Sequence, residues 1–128
     1  ICACLVGSEM CIRDRYVFEA PIDMLSFISM YQKGWMDHSY VALCGVAEHA
    51  LMQLLNDAPH ISQIALCLDH DKAGIQARER IKKNLSERGY HMVFSLFSNL
   101  KDWNEDLQEL KKPPPEYMNR QQTVIQMM

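Results

Sequence analysis

The stretch Ile64-Ala65-Leu66-Cys67-Leu68-Asp69-His70-Asp71-Lys72-Ala73-Gly74 decides the fold of this chain. Its first five residues are apolar, which is typical of a parallel strand that is covered on both faces. The carboxylates of Asp69 and Asp71 follow directly. The longest helical pattern of the sequence begins at Lys72 and ends at Arg88, and Gly89 is the residue that terminates it. The stretch therefore predicts a buried strand, an acidic turn and a helix.

A second acidic position follows another short apolar run. Glu19 closes residues 16–18 and precedes Pro21, a residue suited to the first position of a helix. In open α/β sheets, ligands gather at the carboxyl ends of the strands, and carboxylates brought together there repel one another unless a cation lies between them. Glu19, Asp69 and Asp71 therefore predict a divalent-metal site.

Oxygen ligands of this kind suit Mg²⁺ or Mn²⁺. In extended backbone the two carboxylates of Asp69 and Asp71 point to one side, because side chains alternate along a strand. Helix capping is the alternative explanation that needs no metal. Glu19 could cap the helix after Pro21, and the two aspartates could favour the positive N-terminus of the helix at Lys72.

Short apolar runs and longer amphipathic runs alternate from Tyr16 onward. Strands are predicted over residues 16–18, 40–44, 61–68 and 91–97. Helices are predicted over residues 22–32, 47–55, 72–88 and 103–111. This order predicts an α/β fold, in which about four mostly parallel strands are flanked by helices and joined by right-handed crossovers.

Composition narrows the class of protein. The chain has 128 residues and a net charge of −3, which suits one domain without a strong basic field for nucleic acid. No apolar run approaches the roughly 20 residues that span a bilayer. Five cysteines without paired spacing do not predict a disulfide framework, and Cys44 and Cys67 are expected to be reduced and buried. We expect a soluble, cytoplasmic protein.

The two ends of the chain differ from its middle. Residues 1–15 lack an initiator Met and resemble a peptide that recurs when sequencing-adapter DNA is translated at the end of an assembled contig. We expect a non-native or disordered leader there, with a genuine N-terminal strand as the alternative. Three prolines at 113–115 end the ordered domain, and residues 113–128 form a tail. The predicted domain is residues 16–112.

Two motifs of this sequence resemble those of a Toprim domain. They are Glu19-Ala20-Pro21-Ile22-Asp23 and Leu66-Cys67-Leu68-Asp69-His70-Asp71-Lys72-Ala73-Gly74. The fold is shared by bacterial primases, type IA and II topoisomerases, recombination-repair proteins and overcoming-lysogenization-type nucleases. Leu43-Cys44-Gly45 and Lys101-Asp102-Trp103-Asn104 resemble further motifs of primase-like Toprim proteins of conjugative and other mobile elements. The resemblance covers residues 16–110.

The resemblance implies roles for individual residues. Glu19 would be the acid/base or metal-bridging carboxylate, and Asp69 and Asp71 would be the main metal ligands. Supporting roles are implied for Asp23, Gly74, Lys101 and Asp102. His70, in the middle of the Asp-x-Asp motif, is expected to face outward rather than to bind metal, and Trp103 is expected to pack against the sheet.

Three functions remain open from the sequence. The first is Mg²⁺-dependent nucleotidyl transfer of the primase type, during DNA replication or transfer of a mobile element, on a DNA or RNA–DNA template with nucleotides. The second is metal-dependent nicking or cleavage of DNA, and the third is a non-catalytic module that binds metal or nucleic acid. The basic residues that could touch phosphate are Lys72, Arg78, Lys82 and Lys83, which are too few for tight binding without flanking domains.

Overall fold

The computed structural model describes residues 4–6, 12–44 and 48–112. The strands are β1 (Cys4–Val6), β2 (Asp14–Phe18), β3 (Ser39–Ala42), β4 (Gln63–Leu66) and β5 (Met92–Ser95). The helices are α1 (Pro21–Met30), α2 (Glu48–Asn56), α3 (Lys72–Glu87) and α4 (Trp103–Lys111), and a short 3-10 helix covers Trp35–Asp37. None of the helices that the structure describes combines the length and the apolar character of a membrane span.

The strands form one sheet in the order β1-β3-β2-β4-β5. Strands β2 to β5 run parallel, whereas β1 lies antiparallel against β3 at one edge. The predicted α/β fold with four parallel strands is confirmed. Strand β1 lies inside the predicted leader and β2 begins at Asp14, two residues before the predicted domain start. The origin of residues 1–15 stays a prediction, and the predicted tail 113–128 lies outside the described residues.

Each face of the sheet carries its own apolar core. Helices α2 and α3 cover one face, where the buried side chains include Val17, Val41, Leu51, Leu66 and Ile81. Helices α1 and α4 cover the other face, where Phe18, Phe27, Ala65, Cys67 and Trp103 are buried together. Coverage on both faces explains why the strands read as continuous apolar runs rather than alternating ones.

The order of the strands places the ends of β2 and β4 side by side. Strand β2 pairs with β3 on one side and with β4 on the other. The pairing continues past β4, because the Cys67 backbone N–H donates to the Val17 carbonyl at 2.8 Å. The residues that follow β2 and β4 therefore emerge at the same edge of the sheet, next to the first turns of α1 and α3.

Candidate metal centre

Three carboxylates meet at this edge of the sheet. Asp23, Asp69 and Asp102 each offer an oxygen, and these oxygens lie within 4.8 Å of one another. Asp69 follows β4, Asp23 lies in the first turn of α1, and Asp102 is the N-cap of α4. We call these three residues the acidic cluster.

Asp69 is the residue of the acidic cluster whose environment is most unusual. Its Oδ1 is buried and has no hydrogen-bond partner among the described residues. Burial is the main cause that raises the pKa of Asp69 to about 7, followed by the negative charges of Glu19 and Asp23 and by a hydrogen bond with Glu19. A buried, unpartnered carboxylate oxygen among other carboxylates fits a bound cation.

Glu19 is fixed beside Asp69 by its own backbone. The Cys44 N–H donates to the Glu19 carbonyl at 2.9 Å, and the Leu43 N–H donates to the Phe18 carbonyl at the same distance. These bonds tie the end of β3 to the residue that follows β2. The N-cap of α1 is Ala20, which makes no side-chain cap. Glu19 therefore does not cap α1, and its carboxylate lies next to Asp69.

Asp23 links α1 to α4. Its side chain is buried, and its Oδ1 accepts a hydrogen bond from the Asn104 backbone N–H at 3.2 Å. Burial is the main cause that raises the pKa of Asp23, and the charges of Asp102 and Glu19 add to it, whereas the bond from Asn104 lowers it. Asp23 thus stands in the acidic cluster, although the sequence assigned it only a supporting role.

Asp102 is held by the loop that precedes α4. Its Oδ1 accepts from the Glu105 N–H at 2.8 Å. The buried Asp106 accepts from the Asn99 and Leu100 N–H groups, both at 2.8 Å. Asp106 could not be recognised from the sequence, since its partners are backbone groups that only the fold brings near. This loop geometry places Asp102 opposite Asp69.

The same loop is joined to the acidic turn after β4. The His70 N–H donates to the Lys101 carbonyl at 2.6 Å, and the His70 Nδ1 lies 2.6 Å from the Ser98 carbonyl. The ring of His70 is exposed and packs against Phe97. His70 therefore holds the loop that precedes α4, and its ring faces outward, as expected. Lys101 is exposed, and its N–H donates to Glu105 at 3.1 Å.

Asp71 has a different local role from Asp69. It is the N-cap of α3, and its Oδ1 accepts from the Gly74 N–H at 2.7 Å. It is not one of the three carboxylates that converge in the described chain. Its assignment as a metal ligand stays a prediction. Gly74 is buried, and its Cα lies against the backbone of Asp69.

The prediction that Arg78 belongs to a phosphate-contacting basic surface is wrong. This residue is buried, and its guanidinium donates to the carbonyls of Leu66, Leu68 and Leu96. The guanidinium carbon lies 4.1 Å from the centre of the Phe97 ring. Arg78 therefore ties β4 to the end of β5 and cannot present its charge to a nucleic acid. The three lysines predicted with it, Lys72, Lys82 and Lys83, are exposed on α3.

Trp103 packs as predicted. It is buried, its indole N–H donates to the Cys67 carbonyl at 2.9 Å, and its ring meets Phe27 edge-on. Cys67 is buried as expected, whereas Cys44 is only half-buried, because it lies beyond the end of β3. The Trp103 bond fixes the start of α4 against the end of β4, which is why Asp102 reaches Asp69.

A cleft of about 350 Å³ opens beside the acidic cluster on the α2–α3 side of the sheet. Glu19 and Asp69 form its acidic wall, and Glu48 and Arg80 face them from α2 and α3. Its remaining lining is apolar, from Ala20, Leu43, Leu68, Ala77 and Ile81. Glu48 and Arg80 could not be singled out from the sequence, because their pairing joins two helices that are distant in the chain.

Comparison with known proteins identifies the family. A family model described as Toprim-like matches residues 16–107, which is most of the chain. This chain belongs to the Toprim-like family. The matched range contains the three residues of the acidic cluster and the neighbouring Glu19.

Two individual proteins resemble this Toprim-like domain, one in sequence and one in structure. It is 31% identical over 91 residues to an uncharacterized protein of Mycoplasma pneumoniae, the MG010 homolog, a match that covers 70% of this chain and 41% of the relative. Its structure resembles the crystal structure of the primase fragment of the bacteriophage T7 primase-helicase protein, with a TM-score of 0.60 and 25% identity. That match covers 76% of this chain and 39% of the T7 fragment. The chain thus spans about two fifths of each relative.

Proposed function

We propose that this chain is the metal-binding catalytic module of a primase-type nucleotidyltransferase, which acts on nucleic acid during replication or transfer of a mobile element. The observation that carries the proposal is the acidic cluster, whose oxygens converge at the carboxyl ends of parallel strands. The likeness to the T7 primase fragment supports this reaction class over strand cleavage.

Asp23, Asp69 and Asp102 would hold a divalent cation, with Mg²⁺ or Mn²⁺ as the ions that suit an all-oxygen donor set. When bound, such an ion activates an attacking oxygen and stabilises charge on phosphoryl oxygens. The buried, unpartnered Oδ1 of Asp69 is the oxygen best placed to be a ligand. Asp71 caps α3 and would hold the turn that carries Asp69.

Glu19 would supply the acid/base function. Its carboxylate lies beside Asp69, and its negative charge helps to raise the pKa of Asp69. Glu19 lines the cleft beside Asp69 and is not one of the three carboxylates of the acidic cluster, so a cation held by that cluster would leave it available to the substrate. A carboxylate in that place can accept a proton from an attacking hydroxyl.

The test is incorporation of labelled ribonucleotides on a single-stranded DNA template with Mg²⁺ or Mn²⁺, for the parent and for Asp69→Asn. The chain spans two fifths of its relatives, so we expect weak activity that rises when a flanking template-binding domain is supplied. Loss of all incorporation in Asp69→Asn supports the proposal. Nicking of the template without nucleotides would favour the nuclease alternative. Metal binding without turnover, even with the flanking domain, would favour a non-catalytic module.

A further inference from the structure

We propose that Arg80 binds the phosphate groups of a nucleotide that occupies the cleft between α2 and α3, with its metal-bound end at Asp69. This inference rests on the proposed function and names the substrate class and the side of the sheet that receives it. The acidic cluster has two sides. Asp23 and Asp102 lie on the α1–α4 side, whereas Glu19 and Asp69 face the cleft.

Arg80 is held in a defined orientation. Its Nε donates to Glu48 Oε1, and the other oxygen of Glu48 accepts from Asn84 Nδ2 at 3.1 Å. The Glu48 side chain is 24% exposed and that of Arg80 is 61% exposed. Both oxygens of the carboxylate are therefore engaged, and it anchors an arginine that remains open to solvent.

The anchoring leaves the forked end of Arg80 available. Among the described residues, its hydrogen bonding is confined to Nε, so the two terminal amino groups can make a paired contact with a phosphate. A lysine in the same place would offer a point charge without this geometry. An exposed ion pair adds little stability, so stability alone does not account for the arrangement.

The charges of the cleft point to a ligand that carries both a cation and an anion. Glu19, Asp69 and Glu48 are acids, and Arg80 is the single cation among the described lining residues. A bare phosphate would be repelled by the acidic wall. A divalent cation with a polyphosphate resolves the conflict, because the cation meets Asp69 and the phosphate meets Arg80.

The size of the cleft favours a single nucleotide over a strand. Its volume of about 350 Å³ lies near the lower end of the range for small-molecule sites. The apolar part of its lining, which includes Leu43, Leu68 and Ile81, offers a surface for a sugar or base. A nucleic-acid backbone would instead need a groove with repeated basic contacts.

The test measures binding of ATP in the presence of Mg²⁺ by calorimetry, for the full chain and for Arg80→Ala, Arg80→Lys and Arg88→Ala. Arg88 is a matched control, since it is an exposed arginine at the end of α3 away from the acidic wall. We expect Arg80→Ala to weaken ATP binding about ten-fold or more, the loss typical of a hydrogen bond to a charged group. The ATP affinity of Arg80→Lys should lie between those of the parent and Arg80→Ala, and the affinity of Arg88→Ala should equal that of the parent.

Binding of Mg²⁺ alone and of a single-stranded oligonucleotide separates the outcomes. Arg80→Ala should keep the parent's response to Mg²⁺. If the response to Mg²⁺ depends on Asp69 and the parent binds ATP, but Arg80→Ala binds ATP equally well, this inference is overturned and the proposed function stands. If the parent binds Mg²⁺ but no ATP, this inference is overturned and the non-catalytic, metal-binding alternative is favoured over nucleotidyl transfer. If Arg80→Ala weakens the oligonucleotide but not ATP, Arg80 contacts template and the inference is also overturned. A parent that binds neither Mg²⁺ nor ATP contradicts both.

Discussion

Gly74 lies so close to Asp69 that a Cβ atom at position 74 would stand 2.0 Å from the Asp69 carbonyl oxygen. Real Cβ atoms do not approach an oxygen so closely, and the obstacle is backbone rather than a flexible side chain. The absence of a side chain at Gly74 therefore lets α3 begin directly against the residue at the centre of the acidic cluster.

Gly74→Ala should move the start of α3 away from Asp69. We expect a loss of about 1–3 kcal/mol in the free energy of unfolding, the usual cost of overpacking, together with a weaker response to metal. Urea unfolding with and without Mn²⁺ measures both. Gly89→Ala is the control, because Gly89 has a positive φ of 92° but nothing within 4 Å of its Cβ position. It should lose stability from strain and keep the metal response.

The stability of the metal-free protein should fall as pH rises from about 4 to about 7. Burial and neighbouring carboxylates raise the pKa of Asp69 from 3.8 to about 7, so the folded state binds more protons than the unfolded state in this window. Asp23 is shifted in the same direction and adds to the slope. Thermal unfolding between pH 4 and pH 8 measures it.

Asp69→Asn should weaken the dependence of stability on pH. At pH 7.5 its unfolding temperature should be no lower than that of the parent, since repulsion within the acidic cluster is relieved. Asp57→Asn is the control, because Asp57 accepts an exposed hydrogen bond from Gln53 outside the cluster. A parent whose stability rises with pH between 4 and 7 would contradict the assigned environment of Asp69.

Variants of Asp71 distinguish a helix-capping role of this residue from a metal-binding role. Asp71→Ala should lose about 1 kcal/mol of stability because the Gly74 N–H loses its acceptor, whereas Asp71→Asn should keep most of the cap. Both variants should keep the parent's thermal response to Mg²⁺. If Asp71→Asn loses that response as fully as Asp69→Asn, then Asp71 is a ligand, as the sequence predicts.

Arg78 should prove to be a structural residue. Arg78→Met leaves the carbonyls of Leu66 and Leu68 without their guanidinium partner, and we expect a loss of about 3 kcal/mol or more. Lys82→Ala is the control, because Lys82 is an exposed residue about one turn further along α3, and its stability should stay within about 0.5 kcal/mol of the parent. Equal stabilities for the two variants in urea would show that Arg78 is solvated.

The fold could be predicted because its signals are local. Apolar runs set the parallel strands, Pro21 stands at the first position of α1, and Gly89 follows the end of α3 with a positive φ. Strand β4, however, ends at Leu66, three residues before Asp69. The alternation of side chains therefore does not extend to Asp71, and the pairing of the two aspartates could not follow from their spacing.

The composition of the acidic cluster depends on contacts between distant residues. Asp102 reaches Asp69 because Trp103 bonds the Cys67 carbonyl, and Asp23 reaches α4 through the Asn104 N–H. Arg78 has the sequence of an exposed helical charge, but three carbonyls and an aromatic ring surround it. Residue type and spacing carry no information about such tertiary partners.

Binding of a divalent cation at the acidic cluster is tested most directly by thermal unfolding in the presence of Mg²⁺ and Mn²⁺. The parent, Asp69→Asn and the control Asp57→Asn are compared at pH 7.5. At about a hundred times its dissociation constant, the ion should add roughly 2.7 kcal/mol to the parent and to the control, and nothing to Asp69→Asn. Equal responses in all three proteins, or none in the parent, would contradict the claim.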